Sequence, residues 1–330
     1  MRIGVTGCGV IGAVHAQAID SLPQAHLAAV ADIPEAWAAA ESMAQRYHVH
    51  AYRGLAEMLA SEAIDVINIC TPSGLHASQS IEAMRAGSHV IVEKPMALTL
   101  PDADEMIRVS QESGVRLAVV SQHRFDSDAR RLRKLIESEA LGRISLAVAH
   151  VPWWRSQAYY DKAAWRGTIA MDGGVLMNQA IHSVDLLLWL LGPVASVTSF
   201  AETRAHDIEA EDVVAASLRF ESGAIGSITA TTGAFPGFPA RLEILGDAGS
   251  AVVENDHLVS LVLSGEDGQT FEPQPEPPFG AAHRAQIADM IDAIHAGRQP
   301  YVDGIEGRRS ISLILAILEA ANAQHEVIPT

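Results

Sequence analysis

Over the first 122 residues, short apolar runs of strand length alternate with longer stretches whose apolar residues recur every three or four positions. The apolar runs are "RIGVT" (2–6), "HLAAVAD" ending at Asp32, "AIDVINIC" (63–70), "SHVIVE" (88–93) and "VRLAVVSQ" (115–122). Between them lie helical patterns: "AVHAQAIDSL" after Gly12, "HASQSIEAMRAG" (76–87) and "PDADEMIRVSQESG" (101–114). The last has Pro101 and acidic residues in its first turn and Gly114 at its end, the expected start and stop signals. This repetition predicts a parallel, doubly wound sheet, whose ligands gather at the carboxyl ends of the strands.

The pattern changes after about residue 142. "RISLAVAHV" (143–151) is strand-like, and "PWWRSQAYYDKAAWRGT" (152–168) is a long loop rich in Trp, Tyr and Arg. Loops of that kind line ligand cavities or subunit contacts, so Tyr160 and Arg166 are candidate substrate contacts. "MDGGVLMNQAIHSVDLLLWLLG" (171–192) predicts a helix after its Gly pair, stopped by Gly192 and Pro193. On it Asn178, His182 and Asp185 fall at i, i+4 and i+7, one polar stripe on an apolar helix. Burying such a stripe without partners is costly. From 194 to about 275 strand and turn patterns predict about six antiparallel strands; "QPEPPFG" (274–280) reads as a linker, and two helices close the chain.

The expected fold is therefore α/β. An N-terminal Rossmann domain with a doubly wound parallel sheet (1–122) precedes an α+β domain with a large, mostly antiparallel open sheet (123–330). The C-terminal helices are free to pack back on the Rossmann domain.

The chain has 330 residues, 48% of them hydrophobic, enough for about two cores. A net charge of -17 argues against nucleic-acid or anionic-membrane partners, which require clustered Lys and Arg. No apolar run reaches the ~20 residues of a membrane span, and the N-terminus reads as a strand entering a turn, not a signal peptide. Cys8 and Cys70 make no disulfide framework, and no histidine pattern marks a metal site, so a metal-free protein of the reducing cytoplasm is expected.

"GCGVIG" places Gly7, Gly9 and Gly12 in G-x-G-x-x-G spacing between the first strand and helix. Gly7 permits the tight turn, Gly9 lets backbone approach a pyrophosphate, and Gly12 allows close helix–strand packing. The helix N-terminus at Val10 and Ile11 then supplies free N–H groups to phosphates. Asp32 follows Gly12 by 20 residues, where an acid is wanted for a ribose 2′-hydroxyl. NAD, ahead of NADP, is the expected cofactor; an S-adenosylmethionine methyltransferase is the reading from another class. At further strand ends stand Thr71 and Pro72, then Glu93 and Lys94, then Gln122 and His123, with His76 opening the next helix. Pro95 biases Lys94 toward an extended conformation and so aims its side chain.

With "GCGVIG", "CTPSGLH", "EKP", "GGVLMNQAIHSVDLL" and "YVDGIEGRRS" in this order, the sequence resembles the glucose–fructose oxidoreductase/inositol dehydrogenase (Gfo/Idh/MocA) family over nearly its whole length. The resemblance implies hydride transfer between nicotinamide and a secondary alcohol of a sugar, sugar derivative or cyclitol. It implies Lys94 between nicotinamide and substrate, Glu93 beside the cofactor, and His182 as the acid/base at the reacting hydroxyl. Asn178, Asp185, Tyr160, Arg166 and His123 would contact substrate. Gly7, Gly9, Val10, Ile11, Gly12, Asp32, Thr71, Pro72, His76, Glu93, Lys94 and Gln122 would hold the cofactor. Many inositol dehydrogenases of the family carry Asp where this chain has Asn178, which shifts the expectation toward sugar-nucleotide uronates, inososes or anhydrosugars. An NAD-dependent glycosidase of the same family and a non-catalytic NAD-binding regulator are the alternatives. A homodimer or homotetramer built through the open sheet is expected, as in relatives.

Overall fold

A computed structural model describes residues 1–265, 269–270 and 280–330; of the segment read as a linker, 274–279 lie outside the described residues. The chain divides into two compact units, Met1–Gln122 with Pro277–Arg308, and His123–Glu276 with Arg309–Thr330.

The first unit runs β1 (Arg2–Thr6), α1 (Val10–Asp20), β2 (His26–Ala31), α2 (Trp37–Tyr47), β3 (His50–Tyr52), α3 (Leu55–Ser61), β4 (Val66–Ile69), α4 (His76–Arg85), β5 (His89–Val92), α5 (Leu100–Glu112) and β6 (Leu117–Val119). Its six strands are parallel, in the order β3-β2-β1-β4-β5-β6. The order reverses between β1 and β4, the switch point at which such sheets bind ligands. Strands β4 and β5 are buried almost throughout, as a sheet covered on both faces requires. Helix α5 starts where Thr99 Oγ1 accepts the Asp102 N–H, with Pro101 in the first turn.

The second unit runs α6 (Ser127–Glu137), β7 (Ile144–Pro152), the single turn α7 (Gln157–Tyr160), α8 (Ile181–Leu191), β8 (Val194–Glu202), β9 (Val213–Phe220), β10 (Ile225–Thr231), β11 (Arg241–Gly246), β12 (Gly249–Glu254), β13 (His257–Leu263) and β14 (Gln269–Thr270). These form an eight-stranded sheet in the order β14-β13-β12-β11-β7-β10-β9-β8, antiparallel except for the β7–β10 pair. Two-residue β14 is too short to leave a pattern in sequence. Burial alternates along β9 and β10, so one face is packed and the other open. Helix α8 lies against β7 on the packed face.

Two helices close the chain, α9 (Ala281–Ala296) and α10 (Gly304–Ala323). Ile287, Met290 and Ile291 of α9 join the buried cluster of Ile3, Val5, Ala16 and Ile19, which makes the first unit discontinuous in sequence.

The helix expected after the Gly pair is present, but Val175–Ala180 is π-helical and only Ile181–Leu191 is α-helical. Its entry is held from outside: the Glu211 carbonyl accepts the Val175 N–H and the Glu211 carboxylate accepts the Leu176 N–H. Asn178 therefore lies outside the regular helix that carries His182 and Asp185, so the stripe that 3.6-residue periodicity predicts holds only for the latter two. Wide turns of this type recur at functional sites.

Candidate functional site

The glycine loop after β1 is shaped by contact on two sides and open on the third. A side chain on Gly7, at φ +87°, would run into the backbone of Cys70 and Thr71, and one on Gly12 into the Gly7 carbonyl oxygen. On Gly9 it would meet nothing within 4 Å. The same loop exposes Val10, at 83%, and leaves the first turn of α1 without a side-chain cap. Open backbone plus uncapped N–H groups fit a pyrophosphate. Asp32 stands beside this loop, its carboxylate accepting N–H bonds from Cys8 at 2.7 Å and Ile33 at 2.8 Å. That fixes its oxygens where ribose hydroxyls could donate to them. Gly9, Val10, Ile11 and Asp32 are thus accessible at the loop, while Gly7 and Gly12 are buried and shape it from beneath.

Strands β4 and β5 are neighbours, so Thr71, Pro72, Glu93 and Lys94 follow adjacent strand ends; Gln122 begins a short 3₁₀ turn just beyond β6. Within this group three side chains that the resemblance places at the cofactor have partners inside the protein. Glu93 is 5% exposed and turned inward: His15 Nε2 lies 3.0 Å and His283 Nε2 3.7 Å from its carboxylate. Burial would raise its pKa, but the His15 hydrogen bond and the charges of His15, His283 and Lys94 outweigh this and lower it to about 2. His15 is correspondingly raised: burial opposes its charge, and Cys70 and Glu93 overcome that. Glu93 accordingly anchors the strand end from inside. His76 is also buried, with Nδ1 2.7 Å from the Pro95 carbonyl oxygen and Nε2 2.7 Å from that of Thr71. Its ring fastens one loop to the next. The Thr71 hydroxyl donates to Gln79 Oε1 at 2.7 Å, within the protein. Lys94 is half-buried and precedes a cis Pro95.

In the second unit, Asn178 and His182 are half-buried. Asn178 Nδ2 donates to Asp172, whose other oxygen accepts the Gly167 N–H at 2.7 Å. The His182 ring meets the edge of His123 with centroids 4.7 Å apart and planes at 82°. His123 in turn faces Asp126 at 3.3 Å and Asp256 at 2.9 Å. Burial would lower its pKa, but these two carboxylates raise it to about 9. Asp185, expected at the substrate, is instead 3% exposed and held by Arg124 and Ser310, because a buried carboxylate needs full pairing. Tyr160, likewise expected there, is 7% exposed and its hydroxyl pairs with Thr232 Oγ1 at 2.8 Å. Arg166 stacks on Tyr159 and Trp165. Arg124, Asp172 and Glu211 escaped sequence reasoning, since none sits in a recognisable motif; Gln179 lies within "GGVLMNQAIHSVDLL", but nothing local sets it apart from its neighbours.

Two groups of donor side chains lie close enough to hold a cation, His15–Glu93–His283 and His123–Asp126–Asp256. The His–carboxylate contacts in both are those already described. Among the described residues no helix is long and apolar enough to cross a membrane.

Residues 1–121 match the model of the oxidoreductase family with an NAD-binding Rossmann fold, and residues 129–252 match the GFO/IDH/MocA C-terminal domain. The chain belongs to the Gfo/Idh/MocA oxidoreductase family. The WlbA dehydrogenase from Bordetella pertussis, solved with NADH and UDP-GlcNAcA, is 36% identical, with a TM-score of 0.89 over 99% of this chain and 98% of that one. Myo-inositol 2-dehydrogenase of Thermotoga maritima is 26% identical over 99% of this chain and 98% of its own. Inositol 2-dehydrogenase of Rhizobium meliloti is 29% identical over 99% and 98%. This family member binds NAD through its Rossmann unit and is an NAD(P)-dependent oxidoreductase.

NAD will bind more tightly than NADP, because Asp32 repels a 2′-phosphate and "IPEA" after it offers no Arg to hold one. Fluorescence titration with NADH and NADPH tests this. Asp32→Ala should narrow the gap, and equal affinities in the unsubstituted protein would refute the assignment.

Glu211 makes stability depend on pH. Burial first, and the charges of Asp172 and Asp212, raise its pKa from 4.5 to about 7 despite the bonds it accepts. Below pH 4.5 it is protonated in both folded and unfolded chains, so it has no effect. Between that value and about 7 the unfolded chain releases the proton while the folded one keeps it, and stability falls as pH rises. Above about 7 the loss is complete. Glu211→Gln, which can still accept the Leu176 N–H, should remove that decline, on the order of 1 kcal/mol per pH unit. Denaturant melts at pH 5 and pH 8 measure it; parallel losses in both proteins would exclude Glu211 as the cause.

Proposed function

We propose that the chain is an NAD-dependent dehydrogenase or reductase acting on a secondary alcohol of a sugar, sugar derivative or cyclitol. The observation that carries this is the glycine loop, open only at Gly9 and flanked by the anchored Asp32 carboxylate. The inositol dehydrogenases and the sugar-nucleotide-bound WlbA enzyme among its relatives support the substrate class. Bound nicotinamide supplies the hydride acceptor or donor. Lys94, aimed from the end of β5, hydrogen-bonds the reacting oxygen. His182 takes the hydroxyl proton in oxidation and returns it in reduction, and Asn178 orients a neighbouring hydroxyl without accepting its proton.

The test is a screen of polyols, inositols, sugars and sugar nucleotides with NAD, read as NADH absorbance. A keto product with one NADH per turnover supports the proposal. Bond cleavage without net NADH would mean the glycosidase reading, and no turnover with any probe would leave an NAD-binding regulator.

A second copy of the chain is the proposed partner of the open sheet face. Leu146 pairs with Ile225 in one cross-strand row, and both are exposed, at 36% and 40%; Phe200, further along, is 75% exposed. Light scattering should give a multiple of 35.2 kDa at micromolar concentration, and a monomer would overturn the proposal. Buried free thiols at Cys8 and Cys70 support a reducing, cytoplasmic setting.

A further inference from the structure

The loop between β7 and the Gly pair holds two guanidinium groups in an arrangement that the proposed proton transfers do not use. Arg155 Cζ lies 5.3 Å from the centroid of the Tyr159 ring and 5.5 Å from that of Trp153. Arg166 Cζ lies 4.3 Å from the same Tyr159 ring and 4.6 Å from that of Trp165. Arg166 Nη1 also donates to the Tyr159 hydroxyl at 2.5 Å. Two cations therefore share one aromatic ring. Among the described residues no Asp or Glu oxygen lies within ion-pair distance of either, in a chain of net charge -17. Arg155 Nη2 donates to Gln179 Oε1 at 3.0 Å, and its Nε is buried with no hydrogen-bond partner. A buried charged donor left unmatched is costly. Stacking on rings offsets part of that cost but supplies no acceptor oxygen.

The chain of contacts leads back to the candidate site. Gln179 Nε2 donates to Asn178 Oδ1 at 3.2 Å, and Asn178 stands four positions before His182. The arginines are thus one glutamine away from the residue proposed to orient the substrate.

We propose that Arg155 and Arg166, held on the shared Tyr159 ring, form a binding site for an anionic group of the substrate, a carboxylate or phosphate. This rests on the dehydrogenase reading, which it deepens: the ring to be oxidised carries, or is joined to, a negative charge. Guanidinium suits such a group because its planar donors match two oxygens at once. An anion gives Arg155 the acceptor its Nε lacks and gives both cations a counter-charge. The same pair gives a neutral cyclitol nothing that the rest of the unit lacks.

Titration calorimetry on the NADH-loaded protein tests the proposal with four probes. UDP-N-acetylglucosaminuronate carries carboxylate and diphosphate, UDP-N-acetylglucosamine diphosphate alone, glucuronate carboxylate alone, and myo-inositol neither. At least one anionic probe should bind more tightly than myo-inositol, and its affinity should fall as sodium chloride is raised. Arg155→Gln and Arg166→Gln should each weaken that probe by about tenfold or more, with NADH affinity kept. The probe that loses affinity identifies the source: UDP-N-acetylglucosamine for phosphate, glucuronate for carboxylate. Unchanged anion affinity in both variants would overturn the proposal. If a Gln variant does not fold, the salt series on the unsubstituted protein decides, and salt-independent binding overturns it equally. Oxidation of myo-inositol with no binding of any anionic probe would sink the anion site while leaving the dehydrogenase reading standing. Anion binding with no probe oxidised would do the reverse.

Discussion

Replacing His182 with Asn will lower turnover by about 10²–10⁴-fold, the range expected when a positioned acid/base is lost, and leave NADH affinity close to its original value. The second half follows from the fold, since the dinucleotide surface is made of first-unit residues and His182 belongs to the second unit. The first half follows from chemistry. Asn keeps much of the shape and a hydrogen-bonding amide but cannot take up a proton at neutral pH. The pH–rate profile for oxidation should therefore lose one ionisation along with the turnover. The edge of the His123 ring, 4.7 Å away by centroid, makes a second ionisation part of the same experiment. Burial opposes the charge of His123, but Asp126 and Asp256 raise its pKa to about 9, so its limb is expected above that of His182. Lys94→Met is the companion variant, expected to reduce turnover by removing a hydrogen bond to the reacting oxygen. If His182→Asn retains both its rate and its profile, proton transfer belongs to Lys94 or another group.

What could be read in the sequence was set by how local the signal is. Gly7, Gly9, Gly12 and Asp32 were legible because each has its own steric or electrostatic requirement at fixed spacing, and the structure shows those requirements as close backbone approaches at Gly7 and Gly12 and open space at Gly9. The strand ends at Thr71 and Glu93 were legible as positions, since apolar runs end there. The direction of each side chain was not, because that depends on partners far away in sequence. Glu93 turns inward toward His15 and His283, neither of which has any sequence mark that couples it to "EKP". The helix carrying His182 was legible from its apolar residues and its Gly stops. Its π-helical first stretch was not, for it depends on Glu211, 33 residues after Asn178, accepting the Leu176 N–H. Tyr160 and Arg166 share one loop whose composition marks both. Packing then separates them, sending Tyr160 into the interior against Thr232 and leaving Arg166 stacked with Arg155 around Tyr159.

Asp185 is where the two lines of evidence part most sharply, and its substitution will read out as lost stability. Spacing places it on the side of His182; the structure joins it to Arg124. Arg124 Nε donates to one carboxylate oxygen at 2.8 Å and Nη2 to the other at 2.7 Å, and Ser310 Oγ donates at 3.1 Å. The side chains of Arg124 and Asp185 are only 2% and 5% exposed. A pair this deeply buried gains little over a well-packed apolar pair, because desolvating two charges cancels most of their attraction. Removing one partner is different: the guanidinium is left charged in the interior, since Arg does not give up its proton. Asp185→Ala should then cost on the order of 3–5 kcal/mol of folding stability, measured as a shift of the denaturant midpoint with unchanged slope. Arg124→Met combined with Asp185→Leu should recover most of it, because neither charge remains to be buried. The outcome that would restore the substrate-contact reading is an Asp185→Ala protein of unchanged stability whose KM is raised. Loss of stability in the single variant and its recovery in the double variant would assign Asp185 to holding α8 against the turn that carries His123, and so to positioning the His123–His182 ring pair.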